Sequence, residues 1–278
     1  MHDRIRKQIF LSAYAGGIGH LASSFSSVEI LSALYLYGAM KYDASDVNWE
    51  GRDYFILSKG HGALALYAVL GELGVISREA LLTFCRPEGL LGGEPHAMEV
   101  PGIEASTGSL GHGLSVAVGI ALALRMDGKP NHVYVLTGDG ECQEGSIWEA
   151  VMSAAAYRLD NLTVIVDHNR IQKMDFIQNI MHSDALNKAF ECFGWHVQTV
   201  DGHDAKAIKE AIAPPKKEIQ ITAKPRCIIA ETVKGKGLSL MENNPAWHWR
   251  MPNRRELKTF MAELGITQEE LDVCKKRI

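Results

Sequence analysis

The residues best suited to chemistry are Gly138-Asp139-Gly140-Glu141 and, after an intervening twenty-six residues (142–167), His168-Asn169. An Asp carboxylate, an Asn amide oxygen and a backbone carbonyl are hard oxygen donors. With two oxygens of a diphosphate and a water they complete the octahedron that Mg²⁺ requires. Gly138 and Gly140 let the backbone approach such a diphosphate closely. The flanking sequence supplies the elements that this needs. His132–Thr137 is a β-rich run that ends just before Asp139, Ser146–Leu159 reads as a helix, and Leu162–Val166 is a second β run that ends just before Asn169. A strand–helix–strand unit places both residues at the carboxyl edge of a parallel sheet, where ligands of α/β proteins sit.

Histidines are the second candidate group. His20, His61 and His248 lie in or beside glycine loops or irregular segments, where functional groups concentrate, and imidazole titrates near neutral pH. His2, His132, His182, His196 and His203 read as structural or solvated. Glycine clusters at Gly60-His61-Gly62, Gly108–Gly113 and Gly138–Gly140. Gly17–Ala22 and Gly60–Ala65 match G-x-G-x-x-A. The first follows a helix, and no acid-ended second strand follows the other, so a nicotinamide cofactor is disfavoured. Cys142 reads as packing, and Lys216-Lys217 and Lys275-Lys276-Arg277 as solvated faces.

The remaining elements follow from periodicity and punctuation. The first fifteen residues read as a helix. Ser26-Ser27-Val28-Glu29 has the spacing of a capping box before Ile30, Leu31, Leu34 and Tyr35. Tyr54–Leu57 predicts a buried strand, Ser77–Cys85 a short helix and Leu114–Met126 an apolar helix. A helix near Asp184–Phe193, a strand at Trp195–Val200, a helix at Ala205–Ala213 and a strand at Arg226–Val233 continue the alternation. Pro214–Lys224 reads as a polar loop, and Asn253–Arg277 as two helices. The pattern predicts an α/β fold with a mostly parallel sheet and helices on both faces. One domain over 1–278 is expected, with an irregular C-terminal extension from about 234. The 278 residues, 46% hydrophobic and 22% charged, suffice for a core, and a net charge of −4 gives no strongly basic field for nucleic acid. The longest apolar stretch, around Ser115–Leu124, is too short for a membrane span. Five scattered cysteines without a C-x-x-C, and no secretory signal, suggest reduced thiols in the cytoplasm.

Gly-Asp-Gly followed at this distance by Asn resembles the thiamine diphosphate signature, and the likeness narrows to the N-terminal, diphosphate-binding half of transketolase. It runs nearly end to end. Gly19-His20, Leu57–Gly62, Pro101–Gly113, Gly138–Ile147, Lys234-Gly235-Lys236-Gly237 and Met241–His248 occur in the family's order. The resemblance implies a diphosphate-binding fold and a metal site (Mg²⁺ or another divalent cation) of Asp139, Asn169 and the carbonyl of Ile171. It implies cofactor contacts from His61, Ser109, Leu110, Gly111, Gly138, Gly140 and Glu141 as well as Asp139 and Asn169. It makes His20, His61, His96 and His248 catalytic histidines, and Glu144 an interface residue. The chain departs from the family at Arg170–Met174, at Gly93-Glu94-Pro95-His96 where Gly-His-Pro-Glu is usual and at Trp249, all near substrate rather than metal, and at His112, which stands in place of a glutamine in the diphosphate loop.

In the family, an activating glutamate against the aminopyrimidine ring belongs to a second, pyrimidine-binding domain, and no second α/β array is present in this sequence. The resemblance therefore implies a split transketolase, a transferase of carbohydrate metabolism that is inactive without its partner. That partner is a C-terminal subunit that carries the pyrimidine domain, and the assembly is α₂β₂. Sugars or sugar phosphates are the expected substrates, with neither nucleic acid nor membrane as partner. The alternatives are the α subunit of a 2-oxo acid dehydrogenase and a non-catalytic cofactor-binding subunit.

Overall fold

The computed structural model describes residues 1–181, 185–213 and 223–275. The elements are α1 (His2–Gly16), α2 (Leu21–Phe25), α3 (Val28–Tyr35), β1 (Tyr54–Leu57), α4 (Ala63–Glu72), α5 (Arg78–Leu81), α6 (Gly113–Met126), β2 (Val133–Gly138), α7 (Gly145–Ala156), β3 (Leu162–His168), α8 (Ile177–Ile180), α9 (Leu186–Cys192), β4 (His196–Asp201), α10 (Ala205–Ile212), β5 (Arg226–Glu231), α11 (Glu256–Leu264) and α12 (Gln268–Lys275). His182, Asp184, most of Pro214–Lys224 with Lys216-Lys217, and Lys276-Arg277 lie outside the described residues.

The five strands form one sheet in the order β1-β2-β3-β5-β4, and every pairing is parallel. The largely buried apolar runs of β1, β2, β3 and β5 suit a sheet covered on both faces, whereas β4, at the edge, is partly exposed. Alternation along each strand divides the core in two. Phe55, Leu57, Tyr134, Leu136, Ile165, Ile228 and Ala230 face α1, α3, α4, α10 and the C-terminal helices. Ile56, Val133, Val135, Val164, Val166, Cys227 and Ile229 face α6, α7 and α9. Cys142 is buried, and among the described residues no disulfide joins the cysteines. Among those residues no helix is long and apolar enough to cross a membrane.

Two local expectations change. The capping box at Ser26–Glu29 does not form. Ser27 stands at the N-cap of α3 without a side-chain cap. Ser26 Oγ instead donates to the Asp167 carboxylate at 2.7 Å, and the Glu29 carboxylate accepts from Arg6 at 2.8 Å. Charged tertiary partners outcompete the local cap because hydrogen bonds to ionised groups are the stronger ones. The short helices α2 and α8 carry no clear periodicity in the sequence. After β5 the chain runs irregularly through Pro245–Trp247, a single helical turn. Trp247 is buried, stacks on Phe260 at 5.1 Å and has the Arg250 guanidinium 3.7 Å over its ring. That anchor returns the next residue, His248, to the carboxyl edge of the sheet.

Candidate active site

A cleft of about 520 Å³ opens there, beyond the ends of β1, β2, β3 and β5. Its floor is the sequence-predicted pair. Asp139, at the end of β2, is buried. Its Oδ1 accepts from Gly140 N–H at 2.7 Å, and its other oxygen accepts from Arg170 N–H. Asn169 follows β3, and its Oδ1 accepts from Ile171 N–H at 3.1 Å. Arg170 between them has φ of 63°, the left-handed conformation that turns the chain back on itself.

These donors fit a divalent cation held jointly with a diphosphate. Asp139, Asn169 and Ile171 line the same cleft and are hard oxygen ligands. Burial, and then the neighbouring Asp167 carboxylate, push the Asp139 carboxyl up to about 6. Among the described residues no cluster of three or more His, Cys, Asp or Glu could cage a metal by itself. A cation here would therefore need oxygens from a bound ligand, the usual arrangement for Mg²⁺.

Three imidazoles stand at the mouth. His20, His61 and His248 come from three distant parts of the chain. The ring centroid of His20 lies 5.2 Å from each of the others, and those two are 5.6 Å apart. Burial, then the charges of Lys234, Lys173 and Lys59, lower His20 to about 4. Burial, Lys234 and His20 lower His248 to about 3, and burial holds His61 well below its ordinary value. All three rings are neutral near pH 7 in the cofactor-free protein.

Three lysines to which the sequence alone assigns no role, Lys59, Lys173 and Lys234, line the cleft, and Lys59 and Lys234 are buried. Lys234 Nζ donates to Ile171 O at 2.8 Å and meets His248 Nδ1 at 3.0 Å. Burial, and then Lys59, lower it to about 8. Lys59 Nζ donates to Ser23 O at 3.0 Å, to Ser27 Oγ at 3.1 Å and to the Asp167 carboxylate. Both stand within the glycine-containing blocks of the family resemblance, which was the available signal. Asp167 itself was missed. It is fully buried and also accepts from Ser26, Thr232 and Asn169.

Other expected residues are placed differently. His96 is exposed and does not line the cleft, whereas Glu94 does. The segment is pinned by Tyr67 Oη on Glu94 O at 2.9 Å and Thr107 N–H on Pro95 O at 3.2 Å, with buried Pro95 between the two side chains. Leu110 lines the cleft, but Ser109 is exposed outside it. Glu141 lines it too, yet its carboxylate is taken up by Ser58 Oγ at 2.5 Å, Gly111 N–H at 2.9 Å and Gly138 N–H at 3.0 Å. It braces three loops, and as an anion it would repel a diphosphate. Glu144 is exposed at the rim. The Trp249 ring packs against His20 at a tilt of 57°, with centroids 4.1 Å apart. His112 is exposed.

Residues 11–277 match the family model described as transketolase, thiamine diphosphate binding domain. The chain is 41% identical over 259 residues to one of the subunits of the apulose-4-phosphate transketolase of Actinobacillus succinogenes, covering 93% of this chain and 92% of that protein. It is 42% identical over 248 residues to 6-deoxy-6-sulfo-D-fructose transketolase subunit SqwG of a Clostridium species, covering 89% of each. A transketolase from Pichia stipitis, solved in complex with sedoheptulose 7-phosphate, superposes with a TM-score of 0.85 at 26% identity. It matches 99% of this chain, which spans only 43% of that longer one. With the family model matched over nearly the whole chain and these relatives covered almost end to end, the chain belongs to the transketolase family, as its thiamine diphosphate binding domain.

Proposed function

We propose that residues 1–278 form one diphosphate-binding unit of a two-chain transketolase. With its partner it transfers a two-carbon ketol (glycolaldehyde) unit from a ketose to an aldose acceptor. When bound, thiamine diphosphate supplies the electron sink that lets the carbon–carbon bond next to the ketose carbonyl break. The observation that carries this reading is the convergence of His20, His61 and His248 above Asp139 and Asn169 in one cleft.

In this reading Asp139, Asn169 and the Ile171 carbonyl hold Mg²⁺ against the diphosphate. Lys234 offsets part of the diphosphate's negative charge. His20 and His248, neutral at working pH, would accept the proton of the ketose hydroxyl whose carbon leaves as an aldehyde, and would return it to the alkoxide that forms when the two-carbon unit adds to the acceptor's carbonyl. Glu144 at the rim faces the partner, which carries the pyrimidine-binding domain and the activating glutamate. The relatives named as subunits support a partner chain, and a pairing of two copies of each is the natural closed assembly. Their substrates, apulose 4-phosphate and a sulfonated fructose, favour a specialised anionic sugar over an ordinary pentose phosphate. The expected compartment is the cytoplasm.

The test is reconstitution. With thiamine diphosphate and Mg²⁺ the chain alone should show no ketol transfer, and adding the partner should restore it with a ketose donor but not with pyruvate. Robust transfer by the single chain would sink the split site, and turnover of pyruvate would point instead to a 2-oxo acid dehydrogenase subunit.

A further inference from the structure

His203 has no role in the reading so far, yet its ring sits directly behind the loop that carries Lys234. β4 ends at Asp201, and His203 N–H donates to Asp201 Oδ1 at 2.8 Å, which fixes the turn into α10. The ring is nearly buried. Nδ1 lies 2.9 Å from Glu29 Oε2, and Nε2 accepts from Val233 N–H at 2.8 Å. A backbone N–H can only donate to the unprotonated ring nitrogen, so the proton must be on Nδ1, where it meets the Glu29 carboxylate. Glu29 in turn is held by Arg6 at 2.8 Å and His2 at 3.2 Å, both from α1.

The loop beyond β5 is fastened on both sides of Lys234. Thr232 Oγ1 donates to Asp167, Val233 N–H to His203, and Gly235 N–H to Ala22 O at 3.0 Å. Lys234 alone among these four residues sends its side chain's polar end into the cleft, toward Ile171 O and His248. We propose that His203, locked in one tautomer by Glu29, is a positioning residue that aims Lys234 at the cofactor's diphosphate. This rests on the reading of the cleft as a diphosphate site.

The experiment measures the dissociation constant of thiamine diphosphate by calorimetry, with Mg²⁺ present, in the assembled two-chain protein. His203→Phe keeps a ring but no acceptor, and His203→Leu is a second acceptor-free variant, compared at matched melting temperature. His203→Gln retains an oxygen for Val233 and an amide N–H for Glu29. The acceptor-free variants should weaken binding about ten-fold and His203→Gln should recover all but about three-fold of it, with kcat at saturating cofactor unchanged. In a Lys234→Ala background, His203→Phe should add nothing. Parent-like binding by both acceptor-free variants, or a penalty that persists undiminished without Lys234, overturns the proposal. If Lys234→Ala alone leaves the affinity unchanged, the diphosphate reading of Lys234 falls and the proposal with it. If Lys234→Ala weakens binding while the His203 variants do not, only the proposal falls.

Discussion

Asp139, His20 and His248 each carry a measurable consequence at the scale of single residues. Asp139 supplies the only carboxylate among the proposed metal ligands, so Asp139→Ala should weaken Mg²⁺-dependent cofactor binding in the reconstituted complex by about ten-fold or more. Unchanged affinity would remove the metal assignment. His20 and His248, lowered to about 4 and about 3, lie below the value near 6.5 that they have in the unfolded chain. As pH falls, the unfolded state takes up their protons first. Their effect on stability is therefore nil above about pH 6.5, and stability is lost progressively from there down to about pH 4 for His20 and about pH 3 for His248. In an NMR titration of the cofactor-free chain both imidazoles should stay neutral at about pH 6, and a midpoint near 6.5 for either would contradict the burial that lowers them. Bound diphosphate would oppose the lysine charges and move both upward, toward the range in which an imidazole exchanges protons readily.

The elements that hold these residues meet through glycine. Gly60, close after β1, packs so tightly on the 107–108 loop that an added Cβ would lie 2.7 Å from Gly108 N and 2.9 Å from its Cα. Those neighbours are backbone and cannot rotate away. Gly60→Ala should therefore destabilise the protein by about 1–3 kcal/mol, the usual cost of overpacking, and displace Leu110 and His61 together. A thermal melt that overlays the parent's would show that the two loops are not locked. Gly138 differs, since a Cβ there would find its nearest neighbour at 3.8 Å. Gly60 thus serves close contact between loops, a role that Gly138 does not share.

At the scale of the molecule, one sheet edge gathers four strand ends, and the two faces of the sheet are closed by separate cores. The outer sides of α6 and α7 nonetheless leave Val116 and Met152 about half exposed, on the same two helices that flank the Glu144 rim of the cleft. Mixed with its partner, the chain should form a particle whose mass corresponds to two copies of each subunit. Light scattering that shows only a 1:1 complex with full activity would remove the symmetric assembly. The longer Pichia relative, of which this chain matches 43%, is consistent with that division of labour.

The sequence by itself determined the strand–helix alternation, the two-faced sheet and the floor of the site, because each rests on short-range pattern. Apolar runs of five or six residues make buried parallel strands, and glycine at a strand end makes the loop beside Asp139. The order of the motif blocks along the chain also singled out His20, His61 and His248, which the fold brings together at the cleft. Only the tertiary structure decided which donors and charges meet. The exchange of His96 for Glu94 at the cleft depends on how Tyr67 and Thr107 pin Pro95. Glu141 lines the cleft and also braces it, because donors from the Ser58 and Gly111 loops and from Gly138 reach its carboxylate. Lys59 with Asp167, and Glu29 with His203, pair across 108 and 174 positions of sequence. No local period encodes such pairs, since a buried charge takes whichever partner the packed core brings to it.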